Sequence, residues 1–368
     1  MQELDIKVPG SAETTYRVAI GAGLLPSVWS ALEATSAGRH PFVITDENVV
    51  AAGLLDRLLQ GRDVPTYVIR PAGEASKNIG TVIAIVEAME KAYLGRDALV
   101  VALGGGTVGD SAGFAAAIFK RGVPVVQIPT TTVAQADSAI GGKTGVDSSL
   151  SKNAFGAFWH PAAVYVDVAA LKTLDERQYR SGLVESVKHG LIADREYFEF
   201  LESHLDALLA RDMGTLETVA RYNCTIKGAV VAEDPQEKNR RRILNYGHTI
   251  GHAVEAAGGY ELLHGEAVAI GMVAAGLMEV ELGLSEPDRL DRVRGVLEKL
   301  GVPVKLPPNL VEDNLIDIVR HDKKAVDRWP RFVLLEGIGR VHCENGQYAV
   351  PVDREVVEKA LRLMIGDG

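Results

Sequence analysis

A continuous apolar run, Ala98 to Leu103 (ALVVAL), passes directly into Gly104-Gly105-Gly106, and behind the glycines stands a helical stretch from about Thr107 to Lys120. A strand without a polar alternate position is buried on both faces, which is the signature of a parallel sheet covered by helices on both sides. The same alternation recurs through the first half of the chain. Residues 1–40 read as a short strand or hairpin region followed by a helix around Leu24–Ala34. Phe42–Thr45 is a short strand, with Asp46 placed to cap a helix running through Leu59. Thr66–Ile69 is a further strand, Ser76 is a candidate cap, and Ile79, Val82, Ile83, Val86 and Tyr93 recur at helical spacing. Val125–Ile128 and Val164–Val168 complete the series. The expected fold over residues 1–173 is an α/β domain with a mostly parallel, doubly wound, Rossmann-like sheet.

The glycine run also has a chemical use. Glycines let a backbone approach a pyrophosphate, and a helix N-terminus offers unpaired N–H groups with partial positive charge. GGGTVGD lacks the GxGxxG spacing, however, and three glycines also make tight turns, so this segment alone leaves dinucleotide binding open.

From about Leu174 the texture changes, and residues 174–368 are expected to form a mainly α-helical second domain. Val184, Val187 and Leu191 mark a buried face of a helix on which Glu185 neighbours Lys188 and His189. A helix around Thr215–Ala232 carries Lys227, and Ala267–Leu282 is apolar enough for a central buried helix. His321-Asp322-Lys323-Lys324 and a small strand pair at Phe332–Leu335 and Arg340–His342 follow.

The stretch Asn245–Glu266, NYGHTIGHAVEAAGGYELLHGE, gathers three imidazoles and three carboxylates. On a helix His248 and His252 share one face, and the Gly258-Gly259 break lets the chain return with His264. Glycines at 247, 251 and 265 permit close backbone approach. Such an arrangement suits a divalent metal, for which a catalytic site takes three protein ligands and keeps a position open. The third ligand need not be local, and the motif is not HExxH because Glu does not follow His248.

With 368 residues the chain has room for two cores, and a net charge of -10 without a basic tail opposes general binding to nucleic acid or anionic membrane. The first residues show no basic segment leading into an apolar core, and the longest apolar run, Ala267–Leu277, is too short for a bilayer. Cys224 and Cys343 form neither a disulfide framework nor a thiolate site, so a reducing cytoplasm is the expected location.

Three segments occur in order: GGGTVGD; PTTTVAQADSAIGGKTGVDSSLSKNAFGAF; and LVESVKHG with RRILNYGHTIGHAVE and LHGEAVAIGM. Together they resemble the 3-dehydroquinate synthase family of sugar-phosphate cyclases, over about Asp46 to Lys324. The resemblance implies a shikimate-pathway enzyme of aromatic amino-acid biosynthesis that uses NAD+ and one zinc or cobalt ion. It would convert 3-deoxy-D-arabino-heptulosonate 7-phosphate to 3-dehydroquinate and phosphate by transient oxidation, phosphate elimination, re-reduction and intramolecular aldol closure. It implies Glu185, His248 and His264 as metal ligands. For NAD+ it implies Asp46, Glu74, Lys77, Gly105, Gly106, Thr107, Val108, Gly109, Asp110, Thr130, Thr131, Lys143, Lys152, Ala170, Leu171, Lys172 and Thr173. Lys143, Asn153, Asn245, His252 and Lys324 match positions that handle phosphate, with Arg121 supplied by a neighbouring subunit of a homodimer. Lys188, Lys227 and Arg241 match positions around the substrate's carboxylate and hydroxyls, and Asp137 lies near the nicotinamide and substrate. Related readings are a 2-deoxy-scyllo-inosose or valiolone synthase, or a glycerol-dehydrogenase-like oxidoreductase. The lysines of GGKTG and SKN argue against the dehydrogenase, and Lys227 with Arg241 favours a carboxylate substrate.

Overall fold

The structure is a computed structural model that describes residues 14–35, 38–259, 261–308, 310, 315–318 and 329–365. Its first part runs β1 (Arg17–Gly21), α1 (Val28–Thr35), β2 (His40–Asp46), α2 (Glu47–Ala51), α3 (Leu54–Leu59), β3 (Thr66–Ile69), α4 (Ile79–Lys91), β4 (Ala98–Gly104), α5 (Gly106–Ile118), β5 (Val125–Pro129), β6 (Lys143–Val146), β7 (Phe155–Phe158) and β8 (Ala163–Asp167). Six strands form one parallel sheet in the order β1-β8-β5-β4-β2-β3, while β6 and β7 form a separate antiparallel pair.

Side-chain alternation along β4 explains why its sequence is apolar throughout. Val100 and Ala102 face a core with Val82, Ile85 and Met89 of α4 and Ala112 and Ala115 of α5. Leu99, Val101 and Leu103 face the opposite core, with Leu25, Trp29, Leu54 and Leu58. Burying each such large side chain stabilises the fold by roughly 1.5–3 kcal/mol relative to exposure, so both faces must be covered.

Three local expectations change. Asp46 does cap its helix, accepting from the Val49 N–H at 2.9 Å, but the helix breaks at Gly53, whose φ of 71° separates α2 from α3. Ser76 is not the cap of α4: its hydroxyl donates to the Pro71 carbonyl at 2.6 Å, and Asn78 accepts from the Thr81 N–H instead. The buried face of α4 is Val82, Ile85 and Met89, leaving Ile83 half exposed and Tyr93 outside the helix in solvent.

Asp167, at the end of β8, is nearly inaccessible and accepts from the N–H groups of Gly23, Ala169 and Leu25 at 2.7, 3.0 and 3.0 Å. It thereby locks the turn after the edge strand β1. Asp167→Ala leaves the Leu25 N–H buried without a partner and the part-buried Gly23 and Ala169 N–H groups without theirs, and equilibrium urea unfolding is expected to show a loss of about 3 kcal/mol. A loss under about 1 kcal/mol would mean that water replaces the carboxylate.

The second part is helical: α6 (Glu176–Ala193), α7 (Arg195–Ser203), α8 (Leu205–Leu209), α9 (Met213–Glu233), α10 (His248–Ala257), α11 (His264–Glu281) and α12 (Pro287–Lys299), closed by a helix at Arg354–Met364. The expected strand pair is divided. Arg331–Phe332 pairs with Val350–Pro351, and Leu335–Gly337 pairs with Arg340–Val341. Helices α6 and α11 are buried around most of their circumference, and glycines mark where helix backbones meet. A Cβ on Gly251 would stand 3.0 Å from the Ala267 carbonyl, and one on Gly265 would overlap the Ser181 carbonyl of α6. Among the described residues no helix is long and apolar enough to cross a membrane.

Candidate active site

The close contacts of α6, α10 and α11 bring one side chain from each to a common point. Glu185 is 1% exposed on α6, and its Oε1 lies 3.7 Å from His248 Nε2 and 3.6 Å from His264 Nε2. Ligand atoms about 2.0–2.2 Å from one ion at tetrahedral angles stand about 3.4 Å apart, so this spacing accepts a divalent cation with little adjustment. Hydrogen bonding points the same way. Glu185 Oε1 is buried with no hydrogen-bond partner among the described residues, whereas Oε2 accepts from Lys188 Nζ. His248 Nδ1 donates to the Tyr246 carbonyl at 3.0 Å, which leaves Nε2 as the lone-pair atom facing Glu185.

The electrostatics keep Glu185 and His248 in ligand form. Burial alone would raise the Glu185 pKa, but Lys188, with His264 and His248, holds the carboxyl well below its usual range. Burial, then Lys188, pushes His248 well below the ordinary imidazole value and keeps it neutral. His264 behaves differently: burial would lower it, yet Glu185 and Glu255 on its two nitrogens lift it to about 9.

A cleft of roughly 1070 Å³ opens beside this cluster, between the sheet's C-terminal edge and the helical part. Lys188 and Lys227 line it, the latter 2.8 Å from Asp137 Oδ1. Asp137 sits in a single π turn, Ala134–Ser138, where burial would raise its pKa but Lys227, with His189 and Lys188, holds the carboxyl well below normal. Burial in turn lowers the Lys227 pKa despite Asp137. Arg241 is fixed by donating to the Pro235 and Gly141 carbonyls at 2.8 and 3.0 Å, and its buried Nε has no hydrogen-bond partner. Its neighbour Arg240 points elsewhere, towards Glu233 and over the Tyr348 ring. Asn153, Asn245, Lys143, Lys152 and the exposed His252 also line the cleft.

Several lining residues were not anticipated from sequence, among them the acidic Glu237 and Glu255. Glu237 pairs with Lys143 and accepts from Asn245 Nδ2 at 2.8 Å, with a left-handed φ of 57°. A lone glutamate in DPQEKNRRR carries no periodic signal; its place beside the RRRILN segment was the only available hint.

At the sheet edge, Gly105 is the N-cap of α5 and supplies no side-chain acceptor, so the first-turn N–H groups of Gly106, Thr107 and Val108 face outward. A Cβ at Gly105 would lie 3.0 Å from Thr131 Cγ2, which makes a narrow cradle suited to an anion. Thr130 follows β5 and donates its N–H to the Gly104 carbonyl at 2.9 Å, while Gly109 lies against Gln127. Lys77 and Asp110 pair at 2.7 Å, and the Thr107 hydroxyl donates to Glu74 at 3.2 Å. Asp46 ends β2, and Ala170, Leu171, Lys172 and Thr173 lie in a 3-10 turn after β8. Arg121 is exposed and absent from the cleft lining, and Lys324 lies outside the described residues.

An α/β sheet presenting an uncapped helix N-terminus to a cleft lined by paired lysines and carboxylates, across from a Glu-His-His cluster, defines an enzyme of the metal-assisted, nucleotide-edge type. Comparison with known proteins specifies it. Residues 67–181 match the 3-dehydroquinate synthase N-terminal family and residues 182–325 the 3-dehydroquinate synthase C-terminal family. A 3-dehydroquinate synthase of Acidithiobacillus ferrooxidans is 46% identical over 332 residues, covering 89% of this chain and 90% of that protein. The structure of 2-epi-5-epi-valiolone synthase from Streptomyces hygroscopicus subsp. jinggangensis 5008 with NAD+ and Zn2+ superposes with a TM-score of 0.87 at 32% identity, covering 98% and 99% of the two chains. That of 2-deoxy-scyllo-inosose synthase with carbaglucose-6-phosphate, NAD+ and Co2+ gives 0.86 at 29%, covering 96% and 98%. The chain belongs to the 3-dehydroquinate synthase family.

Proposed function

We propose that this chain is a phosphate-eliminating lyase that converts 3-deoxy-D-arabino-heptulosonate 7-phosphate to 3-dehydroquinate, with NAD+ and one zinc or cobalt ion per subunit. The observation that carries this reading is the Glu185-His248-His264 cluster, with its unpartnered buried oxygen, beside a cleft rich in fixed cations. The Gly105 cradle fits a pyrophosphate, and the two structural relatives hold NAD+ with Zn2+ or Co2+. We divide the chain near Thr173 into an NAD-binding and a metal- and substrate-binding domain. Two free thiols accord with a cytoplasmic setting.

When bound, the ion polarises adjacent substrate hydroxyls and NAD+ provides reversible hydride acceptance. The protein's residues set the geometry. Lys188 occupies the second oxygen of Glu185, so the carboxylate stays ionised and offers a single oxygen to the ion. Arg241 and Lys227 are held rigidly by backbone carbonyls and Asp137, and take the substrate carboxylate and hydroxyls. Lys143, Asn153, Asn245 and His252 receive the phosphate, with Lys324 as a further contact. The charges of Arg241 and Lys227 are therefore in place before the substrate arrives, whereas Lys143 and Asn245 exchange Glu237 for the phosphate. Identity of 46% to a 3-dehydroquinate synthase, against 29–32% to the other cyclases, together with Lys227 and Arg241, supports the carboxylated product.

The deciding assay supplies the heptulosonate phosphate with catalytic NAD+ and follows phosphate and NADH together. Stoichiometric phosphate without lasting NADH is expected; accumulated NADH without phosphate would identify a dehydrogenase instead.

A homodimer belongs to the same proposal. Arg121 is exposed and holds a left-handed φ of 72°, three residues after the exposed Ile118. Arg121→Ala mixed with Lys143→Ala is expected to recover about a quarter to a half of wild-type activity once subunits exchange, because each heterodimer then has one intact site. No recovery despite demonstrated exchange would count against a shared site.

A further inference from the structure

We infer that Glu255 is a positioning residue that couples the grip on the metal ion to occupancy of the nucleotide edge, an inference resting on the metal and NAD+ reading above. Glu255 lies on α10 with its side chain 9% exposed and stands between two elements of that reading. Its Oε1 is 2.7 Å from Lys152 Nζ, and its Oε2 is 3.7 Å from His264 Nδ1. The opposite nitrogen of His264 faces Glu185 Oε1 at 3.6 Å, so the imidazole has a carboxylate on each side. Lys152 Nζ is also 3.8 Å from Glu74 Oε1, and Glu74 Oε2 accepts from the Thr107 hydroxyl in the first turn of α5. A series of polar contacts thus runs from the anion cradle to a metal ligand.

A carboxylate behind a ligating imidazole fixes its tautomer and strengthens its donor nitrogen, and losing such a partner typically weakens metal binding about 10–100-fold. Here that carboxylate is shared with a cation from the other side of the cleft. An anionic nucleotide in the cradle attracts Lys152, and Glu255 is then left to accept from His264 Nδ1–H without competition. The ion is held more tightly, and by reciprocity the ion tightens the nucleotide by the same factor.

The test uses full-length cobalt-loaded protein titrated with a competing chelator, with and without NAD+, read from the cobalt absorption bands. Wild type is expected to hold cobalt about tenfold more tightly with NAD+ present. Glu255→Gln should weaken cobalt binding about 10–100-fold and abolish the NAD+ effect. Lys152→Met should hold cobalt without NAD+ at least as tightly as wild type and also lose the effect. Because Lys152 is partly exposed, that variant decides the matter if Glu255→Gln does not fold. The inference is overturned if wild type shows no NAD+ effect, if Glu255→Gln keeps wild-type affinity, or if Lys152→Met retains the effect. His252, Glu255 and His264 also form a cluster of ligand-capable atoms. Cobalt lost from both Glu255→Gln and His252→Ala but kept by Glu185→Gln would therefore make Glu255 a direct ligand, overturning both the assigned ligand set and this coupling.

Discussion

Glu185→Gln is expected to leave gel filtration folded, free of metal and at least about a thousandfold less active than wild type. An ion that polarises substrate hydroxyls supplies several kcal/mol of transition-state stabilisation, and each 1.36 kcal/mol is about tenfold in rate. Glutamine is the appropriate substitution because Lys188 is fully buried against Glu185. Glutamine also removes the negative charge, but its amide oxygen can still accept from that ammonium, whereas alanine leaves it with no acceptor there at a further cost of about 1–3 kcal/mol. His248→Ala should lose the ion likewise. His252→Ala, altering an exposed ring one turn along the helix, should keep nearly stoichiometric metal and turn over slowly. Chelation should abolish activity while circular dichroism changes little, since the helical core is extensive without the ion. Metal-free His252→Ala alongside metal-loaded His248→Ala would reverse the assignment of the helix face.

Together with Gly271→Ala, Gly265→Ala is expected to be among the most damaging single methyl additions near the site. Its Cβ would coincide with the Ser181 carbonyl and come within 2.8 Å of Ser181 Oγ, so α11 must move away from α6 at the residue next to His264. Overpacking of this kind costs about 3 kcal/mol or more when the opposing atom is backbone. Denaturant unfolding should register that loss, and the displaced His264 should lower cobalt affinity in the same sample. Gly228→Ala is the control: inside α9, with nothing within 4 Å of the added methyl, it should be neutral or stabilise by up to about 1 kcal/mol. Equal stability of the Gly265 and Gly228 variants would remove the argument that helix contact sets the ligand geometry.

Much of this architecture was legible because local chemistry dictated it. The ALVVALGGG run can only be a strand buried on both sides that turns into a helix, and the structure places β4 at the centre of the sheet. Helix-spaced histidines and a glycine break were sufficient to indicate a metal, and α10 and α11 bring His248 and His264 together. What could not be read depended on residues distant in sequence. Nothing local in AQADS indicates that Asp137 occupies a π turn opposite Lys227, or that Glu237 reaches Lys143 across the cleft. The Ser76 cap failed because Asn78 competes for the same helix end, and the helix through Leu59 failed because Gly53 adopts a left-handed conformation. Helical spacing in α4 did not say which side meets the sheet, and Val82, Ile85 and Met89 are the residues that do. Lys324 lies outside the described residues, so its role rests on resemblance alone.

The pairing of the edge strand has a consequence for how the chain assembles. Among the described residues β1 hydrogen-bonds only to β8 within the sheet, and the turn behind it is fastened by Asp167, 144 residues away from Gly23. Closing so long a loop carries an entropic cost that only non-local contacts offset, so β1 is a late joiner in folding, whatever its early position in synthesis. Until β8 arrives, the edge that it completes is an open row of backbone donors and acceptors. An Asp167 substitution should therefore accelerate unfolding more than it slows refolding, the pattern of a contact made after the rate-limiting barrier.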